Sequence, residues 1–282
     1  MKLKLNGNIL VLVAVLLWSL VGLMIKSVDA APIWIMIIRS LSAGLFLSPY
    51  IFKEKIYPMK KVALAGFFMA VFLLCVTITT QIANSAMAVA MQYTAPMYII
   101  AYGFYINKRV DRNKMIVLLS ILIGIVFIVI NSLQNSNPFA IFTGILIGLA
   151  FVFYSYSLQG VTEGNPLGIV ALVNLISFAF YVVVLLIKPA SPPTNIGDII
   201  IMTLSGVFIS GISYAFYGAG LRLISIDRAM MICLLEPILN PIWVFLFRGE
   251  APTIITIIGV GFIMLGATYD IITSKNSVKQ IE

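Results

Sequence analysis

Apolar residues fall in ten long runs separated by short polar or basic connections. Each run is close to the roughly 20 residues that an α-helix needs to cross a bilayer. The pattern therefore predicts ten spans: Ile9–Ile25, Pro32–Phe52, Lys60–Gln81, Ser85–Ile106, Lys114–Asn131, Phe139–Gln159, Pro166–Ile187, Asp198–Leu221, a ninth inside Ser225–Glu250, and Pro252–Thr273. Val28-Asp29-Ala30 has the small-x-small form of a signal-peptidase site. The run before it is longer than a signal peptide's apolar region, which predicts a retained first helix.

Composition agrees with this pattern. Of 282 residues, 61% are hydrophobic and 10% charged, with a mean hydropathy of +1.09. A soluble domain needs more polar surface than this, so the fold class is an all-α, multi-pass membrane protein. The net charge of +8 does not indicate a nucleic-acid partner, because the basic residues sit in short loops. With the N-terminus inside, fourteen Lys and Arg fall in inner segments, from Lys2 and Lys4 through Lys60, Lys61, Arg112 and Lys114 to Lys275 and Lys279; only Lys26, Lys188 and Arg248 fall outside. The positive-inside rule then predicts both termini in the cytoplasm and a location in the cell membrane. Cys75 and Cys233 lie inside apolar runs and read as buried small hydrophobes rather than a disulfide. There is no histidine, which removes the usual general base and metal ligand. No metal or cofactor is implied.

The two halves resemble each other. At a constant offset, Ala88 meets Ala229, Pro96 meets Pro237 and Phe104 meets Phe245. Earlier in each half, Trp18-Ser19 parallels Tyr154-Ser155 and Pro32 parallels Pro166, at shorter offsets. This predicts two repeats, residues 1–134 and 135–282, of five spans each. Five is odd, so the second repeat inserts upside-down relative to the first. Inverted repeats with broken helices at the midplane are a secondary-transporter pattern.

The ninth span carries the candidate chemistry. Glu236 stands mid-run, followed by Pro237, Asn240 and Pro241. An ionisable side chain at that depth is a functional-site hypothesis by default. Pro237 cannot donate to the carbonyl of Cys233, nor Pro241 to that of Pro237, so the helix should kink and leave acceptors free. Cys233, Glu236, Asn240 and Trp243 share one helical face, read as one wall of a cavity. The first repeat has Ala95 where the second has Glu236, so one carboxyl serves the site. Kept from water, that carboxyl favours its neutral form, which lets it load and release a proton and trade it for an amine-bearing substrate. The bland alternative is a hydrogen-bonded Glu that only stabilises the kink.

Further candidates come from polar and aromatic positions inside spans. Trp18 can stack on a ring or a cation; Gln92 lies one turn before Pro96. Tyr154 and Ser155 in span six, and Ser210, Ser213, Tyr214 and Tyr217 in span eight, form stripes at helical spacing. Thr77, Thr80, Gln81 and Asn84 form another, with interhelical hydrogen bonding as its plainer reading. Arg39 must pair or snorkel, and its depth argues against a direct pair with Glu236. Gly124, Gly259, Gly261 and Gly266 read as close helix contacts.

Trp18, Arg39, the Ala-rich approach to Pro96, Glu236-Pro237, Gly249-Glu250 and the glycines of span ten together resemble the drug/metabolite transporter superfamily in its EamA-type branch. The resemblance covers nearly the whole chain. It implies a ten-helix bundle of two inverted five-helix repeats, with a cavity lined mainly by spans one, three, four, six, eight and nine, and export of small metabolites or drugs. One departure is Asn107-Lys108-Arg109, where the family's first repeat often ends span four with an acidic residue; a role for Glu250 symmetric with it is therefore not implied.

The expectation is a secondary active transporter of a small metabolite or drug-like solute, an exporter of amino-acid- or amine-like compounds, with protons as coupling partner. Its substrate-binding candidates are Trp18, Gln92, Tyr154, Tyr214, Tyr217, Glu236, Asn240 and Trp243. A uniporter, facilitator or importer is the alternative. No GxxxxGK[ST] motif is present, so ATP is not the direct energy source. A passive channel fits the paired kinks less well. A membrane-embedded enzyme is disfavoured because no paired Asp cluster or Ser/Lys arrangement occurs on matched helices. The remaining partners are the lipid bilayer and, in oligomeric state, a monomer or homodimer.

Overall fold

A computed structural model describes residues 6–53, 57–107, 112–135, 138–159, 161, 164–221, 223–224, 229 and 232–279. The described residues outside loops are helical throughout. Span one is α1 (Gly7–Ser19) and α2 (Val21–Lys26), jointed at Leu20. Span two is α3 (Pro32–Leu47) with a 3₁₀ continuation, Ser48–Lys53, and span three is α4 (Met59–Ile82). Span four divides into α5 (Ser85–Gln92) and α6 (Ala95–Asn107). Spans five, six and seven are α7 (Arg112–Asn135), α8 (Phe139–Gln159) and α9 (Pro166–Ile187). Span eight is α10 (Ile196–Ser205), a π-helical stretch Gly206–Ile212, and α11 (Ser213–Leu221). Span nine ends in α12 (Glu236–Arg248), and span ten is α13 (Ile254–Lys279). Residues 225–228 and 230–231 of the expected ninth span lie outside the described residues, as do Lys2, Lys4, Lys55, Lys108, Arg109, Arg222 and Arg228.

Seven helices among the described residues are long and apolar enough to cross a membrane, by length and composition. These are spans one, two, three, six, seven, eight and ten; of the other three, spans four and nine are each broken into pieces shorter than a crossing. Their breaks correspond. α5 stops before Tyr93-Thr94 and α6 begins at Ala95; the turn before α12 is Leu234-Leu235, and α12 begins at Glu236. These positions match at the same offset as Ala88 and Ala229. The cause is local. Pro96 and Pro237 have no N–H to give to the carbonyl four residues earlier, so each helix tightens to three-residue bonds, Tyr93 N to Ala90 O at 2.9 Å and Leu235 N to Ile232 O at 3.1 Å, and then restarts.

Packing follows the same relation. α4 packs along α8 (three on six) and α1 along α11 (one on eight), while α3 packs on α9 (two on seven) and α7 on α13 (five on ten). Exchanging each span with the one five later turns the first pair into the second and leaves the other two unchanged. Two glycines allow the close approach of α7 and α13: a Cβ on Gly124 would lie 2.6 Å from the Gly259 carbonyl, and one on Gly259 2.8 Å from that of Gly124. Gly266 meets Ile121 and Val117. Gly261, expected to do the same, has nothing within 4 Å of its added Cβ. The outward-facing residues of these helices are large and apolar, among them Leu119, Leu122, Val126, Ile257 and Leu265, as a lipid-facing surface requires.

The polar residues buried inside the bundle are mostly spent on structure. Thr77 donates to the Leu73 carbonyl at 2.9 Å and sits 3.0 Å from the Met36 sulfur. Gln81 donates to the Ala30 carbonyl at 2.9 Å, and Asn84 caps α5. The stripe on span three therefore ties helices together and caps the next one. Ser177 and Tyr181 of α9 donate to carbonyls of Gly66 and Ala70 in α4. Arg39, 2% exposed, donates from Nη2 to Ser210 Oγ at 3.2 Å and does not pair with Glu236. Lys26 and Glu250 form an ion pair at 2.8 Å at the end of the bundle that carries the 26–31 and 249–253 connections, called the distal end below. Lys114 pairs with Asp270 toward the other end.

Candidate functional site

The two helix breaks meet at the middle of the bundle. Glu236 opens α12 and is 5% exposed. Its Oε2 accepts from the Tyr93 hydroxyl at 3.2 Å and lies 3.5 Å from Gln92 Nε2, so both neighbours come from the break in span four. The same Tyr93 hydroxyl reaches the Cys233 carbonyl at 2.7 Å. This is the carbonyl that Pro237 deprives of its helical donor, and a side chain from the other repeat takes it up. The carboxyl is thus buried between two half-helices and held by a phenol and an amide.

Beside this carboxyl stand aromatic rings. Trp18 lies 4.9 Å from the Tyr214 ring and 5.0 Å from that of Tyr217, centroid to centroid, both tilted. Trp18, Tyr217 and Cys233 all pack against one small buried cluster, Val11, Val15 and Ala229. Tyr214 sits among Tyr154, Tyr181, Arg39 and Glu236, each close enough to act electrostatically on its hydroxyl; that hydroxyl is 4.0 Å from the Met69 sulfur. The Trp18 indole N–H is buried without a hydrogen-bond partner. Most buried donors in native proteins are satisfied, so one left open beside two tyrosines is suited to a ligand acceptor.

The sequence-derived residues thus divide. Glu236 and Gln92 come together directly, and Trp18, Tyr214 and Tyr217 form the adjoining aromatic group, with Tyr154 behind Tyr214 against the core of α4 and α8. Asn240 and Trp243 turn to span one. Trp243 donates to Ser19 Oγ at 2.9 Å. Asn240 is fully buried, its amide atoms unpartnered, with Oδ1 2.3 Å from where a Cβ on Gly22 would stand. The stripe on span eight is also redrawn. The π-helical stretch ends at Ile212, so Ser210 turns to Arg39 and Ser213 bonds the Ile209 carbonyl, leaving the two tyrosines to face Trp18. Above Asn240, toward the distal end, lies a cavity of about 290 Å³ lined by Asn84, Ser85, Pro241, Val244, Glu250 and Thr253. Among the described residues no group of His, Cys, Asp and Glu could hold a metal ion.

Tyr93 escaped the sequence reading. The available signal was its place in the run Gln92-Tyr93-Thr94-Ala95-Pro96, where the offset sets it against Leu234, the residue at which the other repeat breaks.

The profile of the EamA-like transporter family matches residues 5–130 and again residues 134–269. An uncharacterized transporter of Clostridium kluyveri is 25% identical, over 98% of this chain and 97% of its own. An uncharacterized transporter of Archaeoglobus fulgidus is 20% identical, over 92% and 94% respectively. A protein solved by crystallography superposes with a TM-score of 0.60 at 15% identity, covering 93% of this chain and 97% of that one, which shows a shared fold.

Proposed function

Because the chain belongs to the EamA-like transporter family, we propose that it is a secondary active transporter whose small solute carries an amine and binds between the two helix breaks. The observation that carries this reading is Glu236, buried at the start of α12 and held by Tyr93 and Gln92 from the opposite repeat. An ammonium group is complementary to the ionised carboxyl, and the faces of Trp18, Tyr214 and Tyr217 suit a cation or a ring attached to it. A proton competes for the same carboxyl, so the two exclude each other and exchange across the membrane. The direction set by an inward proton gradient is export. The two repeats, residues 1–134 and 135–282, rock about the midplane site.

The experiment is a ligand screen by thermal shift on purified protein, across amines, amino acids and cationic dyes, followed by uptake in vesicles. Ligands that prefer the folded state raise its melting temperature. Saturable uptake with counterflow supports a carrier; unsaturable flux without counterflow rules it out. With the selected ligand, Tyr214→Ala and Tyr217→Ala should each weaken binding about tenfold, roughly 1.4 kcal/mol, while lowering the melting temperature by only a few degrees. A large fall in melting temperature with unchanged ligand affinity would assign both rings to packing.

Orientation follows from charge. Both termini are proposed to be cytoplasmic, on fourteen inner against three outer basic residues. In intact cells a Ser277→Cys variant should resist an impermeant thiol reagent until the membrane is opened; labelling from outside would reverse the topology.

A further inference from the structure

One hydroxyl at the centre of the site stands before two acceptors. The Tyr93 oxygen is 2.7 Å from the Cys233 carbonyl and 3.2 Å from Glu236 Oε2. A phenol carries a single O–H, so it cannot donate fully to both. Nor is the Cys233 carbonyl an ordinary helix acceptor, because Pro237 withholds the N–H that would otherwise fill it. We propose that Tyr93 is a positioning residue that turns the protonation of Glu236 into making or breaking a backbone tie between spans four and nine. The inference rests on the reading of Glu236 as the group that exchanges proton for substrate.

Two arrangements follow from donor counting. With Glu236 protonated, its O–H donates to the Tyr93 oxygen, and the phenol hydrogen goes to the Cys233 carbonyl. The chain Glu236 to Tyr93 to Cys233 is complete, and the breaks of the two repeats are tied together. With Glu236 ionised, the carboxylate is the stronger acceptor, since charge-assisted hydrogen bonds are about twice as strong as neutral ones. The phenol hydrogen turns to the carboxylate, and the Cys233 carbonyl is left open. No proton leaves Tyr93 in this exchange; only its direction changes, and the proton lost or gained is that of Glu236. The ionised arrangement thus presents an anionic carboxylate and a free carbonyl together, a pair that suits the several N–H groups of an ammonium ion. The protonated arrangement withdraws both.

The surroundings support this assignment. The other groups that act on this cluster are Tyr214 and Tyr217 from span eight and Cys233 on span nine itself. Span ten brings Met264, Ala267 and Ile271, which are apolar. Arg39 acts on Tyr214, and its Nη2 is held by Ser210. Among the described residues, then, Tyr93 is the hydroxyl bonded to both the carboxyl and the opened backbone.

Isotope-edited infrared spectroscopy of the lipid-reconstituted protein tests this with the proton as the only added ligand. The chain has two cysteines, so Cys75→Ala labelled with carbonyl-¹³C cysteine reports the Cys233 carbonyl alone. The Glu236 carboxyl band is identified by its loss in Glu236→Gln. The expected result is that the Cys233 band shifts as the Glu236 band titrates, with one midpoint, and that adding Tyr93→Phe abolishes the Cys233 shift while the carboxyl still titrates. A Cys233 band that stays fixed while Glu236 titrates overturns the inference in the Tyr93-containing protein alone, whether or not the Tyr93→Phe protein folds. So does a Cys233 shift that survives Tyr93→Phe. If no Glu236 band titrates anywhere in the range where the protein stays folded, the exchange reading of Glu236 fails first and the role of Tyr93 falls with it.

Discussion

Glu236→Gln abolishes proton-driven accumulation, by on the order of tenfold or more, while leaving substrate exchange measurable. Glutamine keeps the shape of the side chain and an oxygen that can accept from Tyr93 and Gln92, whose donors lie 3.2 and 3.5 Å away in the native protein. Its amide cannot ionise, so it can neither carry a proton across nor draw an ammonium group by charge. Packing around the site is little disturbed, because the substitution conserves volume and hydrogen bonding. The measurement compares two assays in one vesicle preparation: uphill accumulation under an imposed pH gradient, and counterflow without one. In the native protein, accumulation grows with the gradient; in the variant it should be flat. Accumulation near the native rate in Glu236→Gln would remove Glu236 from the coupling mechanism and leave it as a support for the helix break.

The second large effect is on stability, at Gly206. Here the π-helical stretch of span eight seats on span two, and a Cβ would lie 2.4 Å from the Arg39 carbonyl, 2.9 Å from the Arg39 Cα and 2.0 Å from Ser42 Oγ. The Ser42 hydroxyl can rotate, but the backbone of a buried helix cannot yield alone. Gly206→Val therefore pushes span eight off span two and draws Ser210 from the guanidinium of Arg39. Overpacking of a close contact costs about 1–3 kcal/mol, and a buried charge that loses a partner adds to it. A loss of about 3 kcal/mol or more is expected, read as a fall in melting temperature in detergent. Gly218→Ala is the control, since its added Cβ meets nothing within 4 Å. Equal melting temperatures for the two variants would mean that the spans separate without resistance at this point.

These two positions also mark what could and could not be read from the chain. The break at Glu236 was legible because its cause is local: a proline lacks a donor wherever it occurs, and the offset between repeats carried the break from Pro237 to Pro96. Phe139–Gln159 and Pro166–Ile187 were found to the residue, because a phenylalanine-led apolar run and an asparagine-capped proline start announce themselves. The π-helical stretch at Gly206 was not legible. It depends on how span eight meets Arg39 and Ser42 of span two, which lie far away in sequence. The same holds for Trp243, whose indole is used by Ser19 224 positions away in sequence, and for Tyr93, whose partners belong to the other repeat. Periodicity identified which face of a helix is polar, yet it could not say whether a neighbouring helix or a ligand satisfies that face; Thr77 and Gln81 went to neighbours.

The matched breaks have a thermodynamic consequence. Were the two repeats identical, the form open to one side and the form open to the other would be the same packing viewed from opposite faces of the membrane. They would be degenerate, and an empty carrier would divide its time equally between them. Every departure from that identity lifts the degeneracy. Three of them are Glu236 opposite Ala95, the π-helical stretch of span eight opposite an unbroken α4, and the Leu20 joint of span one opposite an unbroken α8. A gap of a few kcal/mol suffices to hold the minor form at about 0.1–10%. One of the three contains an ionisable group, so this part of the gap is adjustable by the solution on whichever side Glu236 faces, whereas the other two are fixed in the backbone.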